Sequence, residues 1–138
     1  TYGDWSSDVC SSDLLKPGSH GTTFGGNPIS CSAANAVIAE INRSGALATN
    51  AAKGALIRNL ISPISGVKEV RGRGLLIGIV LDAPKAKDIA LWLQSAGFLV
   101  NAANDEVIRI APAFIVTEKQ ILAFVRAFSD ACEEVFHG

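Results

Sequence analysis

No two of the three cysteines, Cys10, Cys31 and Cys132, form a Cys-x-x-Cys pair, and an odd number cannot close into a disulfide framework. A reducing compartment, the cytoplasm, is therefore the expected setting. Neither sign of charge is in excess: 12 Lys+Arg face 13 Asp+Glu, a net charge of -1, so no electrostatic pull favours nucleic acid or an anionic membrane. No stretch approaches the roughly 20 apolar residues that span a bilayer, and no basic segment followed by an apolar one opens the chain. What is present is 138 residues of 49% hydrophobic content, the length of one ordinary domain and enough apolar matter for a core. A globular protein acting on small molecules is the expectation.

Along the chain, Thr1 to Asp13 is polar, repeats Ser-Ser-Asp, and shows no helical or strand period, so it reads as a leader without regular structure. Gly, Thr, Ser, His and Asn then dominate from Lys16 to Pro28, a composition suited to a tight loop. Asn27-Pro28 is a helix start, the amide capping free N–H groups and the proline standing where it has no donor to lose. The helix is expected to run to about Ile41. A second helix is expected over Leu47 to Ile61, with Leu47, Ala51, Ala55, Leu56 and Leu60 as its apolar stripe and Pro63 beyond its end.

After Pro63 the pattern changes. Val67 to Arg71 and Leu75 to Leu81 read as strands hinged at Gly72-Arg73-Gly74, the second apolar throughout and so expected to be buried. Ala86 to Ala96 has helical spacing with Gly97 as its C-terminal cap. Phe98 to Val100 and Val107 to Ile110 read as short strands around Asn104-Asp105. Thr117 with Gln120 forms a capping box ahead of a closing helix lined by Ile121, Val125, Phe128 and Cys132. The half from Val67 onward is thus expected to be a two-layer β-β-α-β-β-α sandwich.

Two adjacent hydroxyls, Thr22 and Thr23, stand beside glycines and lead into a helix N-terminus, an arrangement offering side-chain and backbone donors to a phosphate or carboxylate. A plain glycine-rich turn with an asparagine cap accounts for the same residues. The loop is not a P-loop, since no Gly-Lys-Ser/Thr follows, and not a dinucleotide fingerprint, since no strand with G-x-G-x-x-G precedes it. His20 reads as a loop-stabilising residue, and Cys31 and Cys132, on apolar helical faces, as buried thiols. Arg71 and Arg73 fit a glycine-permitted bend better than a nucleic-acid contact. Arg109, taken alone, is an exposed strand arginine.

The run Pro17 to Pro28, containing Gly-Ser-His-Gly-Thr-Thr-Phe-Gly-Gly-Asn-Pro, resembles the G-S-H-G-[ST]-T-[FY]-G-G-N-P segment of class III aminotransferases of the acetylornithine and ornithine type. Val70-Arg71-Gly72-Arg73-Gly74-Leu75-Leu76-Ile77-Gly78 and Val107-Ile108-Arg109-Ile110-Ala111-Pro112 resemble two further segments of that family, and the likeness extends from about Leu15 to the end. It implies an α/β, fold-type I architecture: residues 15–62 as the end of the large cofactor domain and 63–138 as the small α+β C-terminal domain, with 1–14 a foreign leader.

The resemblance also implies pyridoxal 5'-phosphate as cofactor, with the Thr23 hydroxyl on its phosphate in the partner subunit, Thr22 close to the substrate, and Arg109 on the substrate's α-carboxylate. A homodimer with a composite site follows, taking a small-molecule amino acid and a 2-oxo acid, with N-acetylornithine and 2-oxoglutarate the leading pair, in arginine biosynthesis. The family's cofactor-holding lysine precedes the threonine loop. Here Thr1 to Leu15 contains none, Lys16 stands too close, and Lys53 and the later lysines lack the context, so no catalytic residue is expected and the chain alone should be inactive. Without the resemblance, the half after Val67 fits a ferredoxin-like amino-acid-binding regulatory module, or a structural fragment that binds nothing.

Overall fold

The computed structural model describes residue 23, residues 25–43 apart from the side chain of residue 43, and residues 45–137. The leader, Lys16, His20, Thr22 and Phe24 lie outside them. Two compact units divide the chain, residues 1–40 and 41–138.

Helix α1, Pro28–Arg43, begins as its sequence dictates. Asn27 Oδ1 accepts from the Ser30 N–H at 3.0 Å while its Nδ2 donates to Ser30 Oγ at 2.9 Å. Gly26 turns the chain into that cap at φ 71°. Most of α1 is exposed, including Cys31, which corrects the expectation of a buried thiol there. The small residues of its first turns, Ser30, Cys31, Ser32, Ala33 and Ala34, find no covering layer among the described residues.

In the second unit, α2 (Ala46–Ile61) is followed by strands β1 (Val67–Arg73) and β2 (Leu76–Leu81), helix α3 (Ala86–Ser95), strands β3 (Asn101–Ala102) and β4 (Val107–Ile110), and helix α4 (Glu118–His137). The four strands make one antiparallel sheet in the order β1-β2-β4-β3. Every neighbouring pair is antiparallel, as in a ferredoxin-like sheet, whose crossover-linked strands are not adjacent. The sheet alone therefore does not separate the regulatory-module alternative from the aminotransferase reading.

Helices α2, α3 and α4 cover one face of the sheet. Their apolar residues, among them Ile57, Ile61, Ile89, Leu93, Ile121 and Phe128, interlock with Ile77, Ile79 and Leu81 of β2 and Ile108 and Ile110 of β4. The other face is open. Because side chains alternate along a strand, β2 buries only Ile77, Ile79 and Leu81, while Leu76 is 60% exposed. The expectation that this strand is buried throughout is thus corrected. The stripe of α2 shifts as well: Ala46, Gly54, Ile57 and Ile61 face the core and Leu47 is 79% exposed.

Helix ends agree with their signals. Thr117 N–H donates to Gln120 Oε1 at 2.9 Å and Gln120 N–H returns a bond to Thr117 Oγ1 at 3.3 Å, the reciprocal capping box. At the end of α3, Gly97 N–H reaches the Gln94 carbonyl and Phe98 N–H the Leu93 carbonyl, a Schellman closure. That closure consumes the Phe98 donor, so β3 starts at Asn101 rather than at Phe98 as expected.

Candidate functional site

The open sheet face carries the most distinctive chemistry of the second unit. Arg109 lies on β4 between Ile108 and Ile110, whose side chains enter the core, so its own side chain emerges on the opposite face. Its register partners are Gly78 on β2 and Asn101 on β3. Gly78 in turn pairs with Arg71 of β1. One rung of the sheet thus reads Arg71, Gly78, Arg109, Asn101.

Gly78 leaves a gap in the middle of that rung. Arg71 leans into it: a Cβ placed on Gly78 would lie 3.7 Å from Arg71 Cγ and 3.8 Å from its Nε. Arg71, Arg73, Gly78, Val107 and Arg109 line a shallow depression of about 310 Å³. Among the described residues, the salt bridges join Lys85 to Asp88 and Lys87 to Asp105, and none gives Arg71, Arg73 or Arg109 a carboxylate. Three guanidiniums on one open face, none of them in an ion pair among the described residues, form a surface suited to an incoming carboxylate.

Sequence reasoning singled out Arg109, placed Arg71 at the end of a strand and Arg73 in the hinge after it, and read the pair as part of a bend. Arg73 is a strand residue as well, since β1 runs through Gly72 to Arg73. The signal that links them to Arg109 is the cross-strand register, which no single segment displays.

In the first unit, Thr23 is exposed and stands ahead of the Gly25-Gly26 turn. A Cβ on Gly26 would meet nothing within 4 Å, so the approach to this turn is open. The first turn of α1, by contrast, is partly satisfied from within: Asn27 Oδ1 holds the Ser30 N–H, and the Asn27 carbonyl accepts from Cys31 N–H at 3.0 Å. The hydroxyl of Thr23, more than those helix donors, is what the described part of this loop offers to an anion. Thr22 lies outside the described residues, and Thr23 and Arg109 belong to different units.

A second depression, of about 290 Å³, opens beside the core near Phe98, Pro112, Val116 and Phe124. Its lining is apolar apart from Gln120, with no titratable group to do chemistry. Among the described residues, no group of His, Cys, Asp and Glu could hold a metal ion, and no helix is long and apolar enough to cross a membrane.

Comparison with known proteins decides what the two units have in common. The family profile described as "Aminotransferase class-III" matches residues 9–132, nine-tenths of the chain and beginning inside the stretch read as a leader. The chain belongs to the class III aminotransferase family.

Among its relatives are the acetylornithine aminotransferases of Mycobacterium leprae, 49% identical over 117 residues, and of Mycolicibacterium smegmatis, 50% identical over 121 residues. These alignments take in 83% of this chain but 29% and 30% of the relatives, so the chain spans about three-tenths of the length of the aminotransferases it matches. Solved structures agree. The acetylornithine aminotransferase of Elizabethkingia anophelis superposes with a TM-score of 0.71 at 33% identity, covering 89% of this chain and 34% of its own. An ornithine aminotransferase of Toxoplasma gondii, reported with partial occupancy of PLP at its active site, gives 0.73 at 28% identity, covering 91% and 31%. The α/β, fold-type I assignment follows from this aminotransferase family.

The cofactor implied by the family is pyridoxal phosphate, and the described residues fit one end of it. Thr23 presents an exposed hydroxyl beside an open glycine turn, as a phosphate requires. They do not provide its covalent anchor: Lys53 is engaged with a backbone carbonyl, Lys85 and Lys87 with carboxylates, and Lys68 and Lys119 stand exposed.

Proposed function

We propose that this chain is the part of a pyridoxal-phosphate-dependent aminotransferase of the acetylornithine type that recognises the substrate carboxylate and contributes the phosphate-binding threonine. The observation that carries the reading is Arg109, an exposed arginine opposite a glycine on the open face, in a chain of this family. A planar guanidinium pairs with a carboxylate through two parallel N–H donors, which fixes the orientation of the carbon bearing the amino or oxo group.

Thr23 would hold the phosphate of the cofactor through its hydroxyl, with Thr22 beside the substrate in the same loop. When bound, pyridoxal phosphate supplies the electron sink that lets an amino group leave one carbon skeleton and join another. The chain's own residues bind and orient; the group that moves the proton is not among the described ones. The names of the M. leprae and M. smegmatis acetylornithine aminotransferases support N-acetylornithine, or a related ω-amino acid, as amino donor; 2-oxoglutarate as acceptor, in arginine biosynthesis, is what the family resemblance implies.

By the family resemblance the threonine loop would reach the active site of a second copy, which would make a cytoplasmic homodimer with composite sites. Residues 15–62 would close the large domain and residues 63–138 form the small one.

Grafting residues 15–138 onto the preceding portion of an acetylornithine aminotransferase tests the whole reading. Amino transfer from N-acetylornithine is expected, with faster loss of cofactor on dialysis for Thr23→Ala and a raised KM for both substrates in Arg109→Met. A dimeric, folded chimera that retains no cofactor would remove the phosphate role, and normal KM values in Arg109→Met would remove the carboxylate role.

A further inference from the structure

Helix α2 carries no acidic residue, so its two cations, Lys53 and Arg58, must find partners on other elements. Lys53 has the Phe114 carbonyl. Arg58 has no such partner: its Nη1 is shut off from solvent without a hydrogen bond, and the ion pairs among the described residues involve Lys85 and Lys87 instead. Two turns earlier on the same helix, Asn50 Oδ1 is also sealed from solvent and without a hydrogen bond. Asn50, Gly54 and Arg58 follow one another at four-residue steps, so the two polar side chains stand at the ends of one row about 12 Å long. Polar atoms enclosed in this way cost stability unless they are hydrogen-bonded, and a cation costs most. Rotation of the helix offers no relief, because it would uncover Ile57 and Ile61, which are 2% and 0% exposed. Arg58 as a residue is only partly buried, so an incoming group can reach it.

We propose that Arg58 anchors a carboxylate side chain carried by the part of the longer aminotransferase that lies outside this chain. The inference rests on the reading of this chain as part of such an enzyme and adds a point at which the rest attaches. The matched relatives share only 29% and 30% of their length with this chain, so most of the polypeptide able to cover α2 lies beyond it. A carboxylate suits a lone guanidinium, which grips it through two parallel donors. A phosphate would call on further cations, and Lys53, the other cation of α2, is already engaged. Asn50 marks the far end of the same contact, where the covering segment would supply a donor to its Oδ1.

Arg58→Met, which keeps much of the stem and removes the charge, is made in two settings. One is the full chain of 138 residues by itself. The other is residues 15–138 grafted after the preceding portion of the M. smegmatis acetylornithine aminotransferase. In the chain alone the substitution removes an unpaired cation and should raise the melting temperature by about 3 °C. In the graft it breaks an ion pair and should lower the melting temperature by roughly 3–5 °C. Arg58→Lys retains the charge and should cost the graft less than Arg58→Met does. The reversal of sign is the signature, since a role confined to packing within this chain moves both melting temperatures the same way.

Shifts of the same sign in both settings, or none in either, overturn the proposal; an arginine satisfied by water would behave in that way. If the chain alone self-associates and Arg58→Met weakens that association on dilution, the carboxylate belongs to a second copy, and the proposal is overturned as well. These results leave the aminotransferase reading in place, because the unsubstituted graft is judged separately by cofactor retention and amino transfer. A folded graft with neither property removes that reading, and the Arg58 anchor falls with it.

Discussion

Gly54, midway along α2, lies against the carbonyl oxygen of Gly74 in the β1–β2 turn, and no side chain fits between them. The helix is thereby pressed onto the end of the hairpin that carries Arg71 and Arg73. Gly54→Ala improves helix propensity by about 1 kcal/mol. Crowding of a closely packed contact costs about 1–3 kcal/mol, and with backbone on both sides the upper part of that range applies. A net loss is therefore expected, seen as a melting temperature lower by roughly 5 °C. An unchanged or higher melting temperature would show that the helix moves away without cost.

The neighbouring Lys53 ties the same helix to a different loop. Its Nζ donates to the Phe114 carbonyl at 3.3 Å in a part-buried setting, just after the strand that holds Arg109. Lys53→Met keeps the stem and removes the donor, and should lower unfolding free energy by about 1 kcal/mol in denaturant titrations. No shift in the urea midpoint would mean the bond is matched by water.

At the start of α4, Thr117→Ala removes the hydroxyl that accepts from Gln120 N–H. A loss of about 1 kcal/mol is expected, with Thr117→Ser retaining most of the stability. Equal losses in the two variants would assign the effect to the threonine methyl rather than to the cap.

The two described thiols should differ sharply in reactivity. Cys31 is exposed, whereas burial pushes the Cys132 thiol from 9.0 up to about 12. In a Cys10→Ser background, iodoacetamide at pH 8 should label Cys31 rapidly and reach Cys132 only on unfolding. The linkage has a definite sign: the folded chain keeps the Cys132 proton while the unfolded chain releases it, so this contribution is intact below pH 9 and is lost as pH rises from 9 towards 12. Replacing Cys132 with Ala should flatten that alkaline decline. Rapid labelling of Cys132 in the native chain would contradict its burial.

Much of this architecture is legible along the chain, because its signals are local. The Asn27 cap, the Thr117–Gln120 box and Gly97 each fix a helix end through bonds spanning three to five residues. The misjudged features depend on what lies across space. The run Leu76 to Leu81 is apolar at nearly every position, so its composition cannot tell a strand covered on both faces from one whose second face is open. The stripe of α2 passes through Gly54, which has no side chain to betray its burial. Cys31 sits among small residues that resemble a packed face, yet nothing among the described residues covers it. Arg109 stood out through its family context, while Arg71 could join it only once β2 was known to lie between β1 and β4.

The alternation along β4 has a consequence for how the chain finds its native register. Sliding β4 by one residue against β2 would turn Ile108 and Ile110 out to water and drive the Arg109 guanidinium in among Ile77, Ile79 and Phe128. Burying an unpaired cation there costs far more than any ladder bond the slipped pairing could recover. The residue assigned to the substrate carboxylate therefore also acts as a proofreader of strand pairing, and its replacement by an apolar side chain would lower the penalty that keeps misaligned sheets rare.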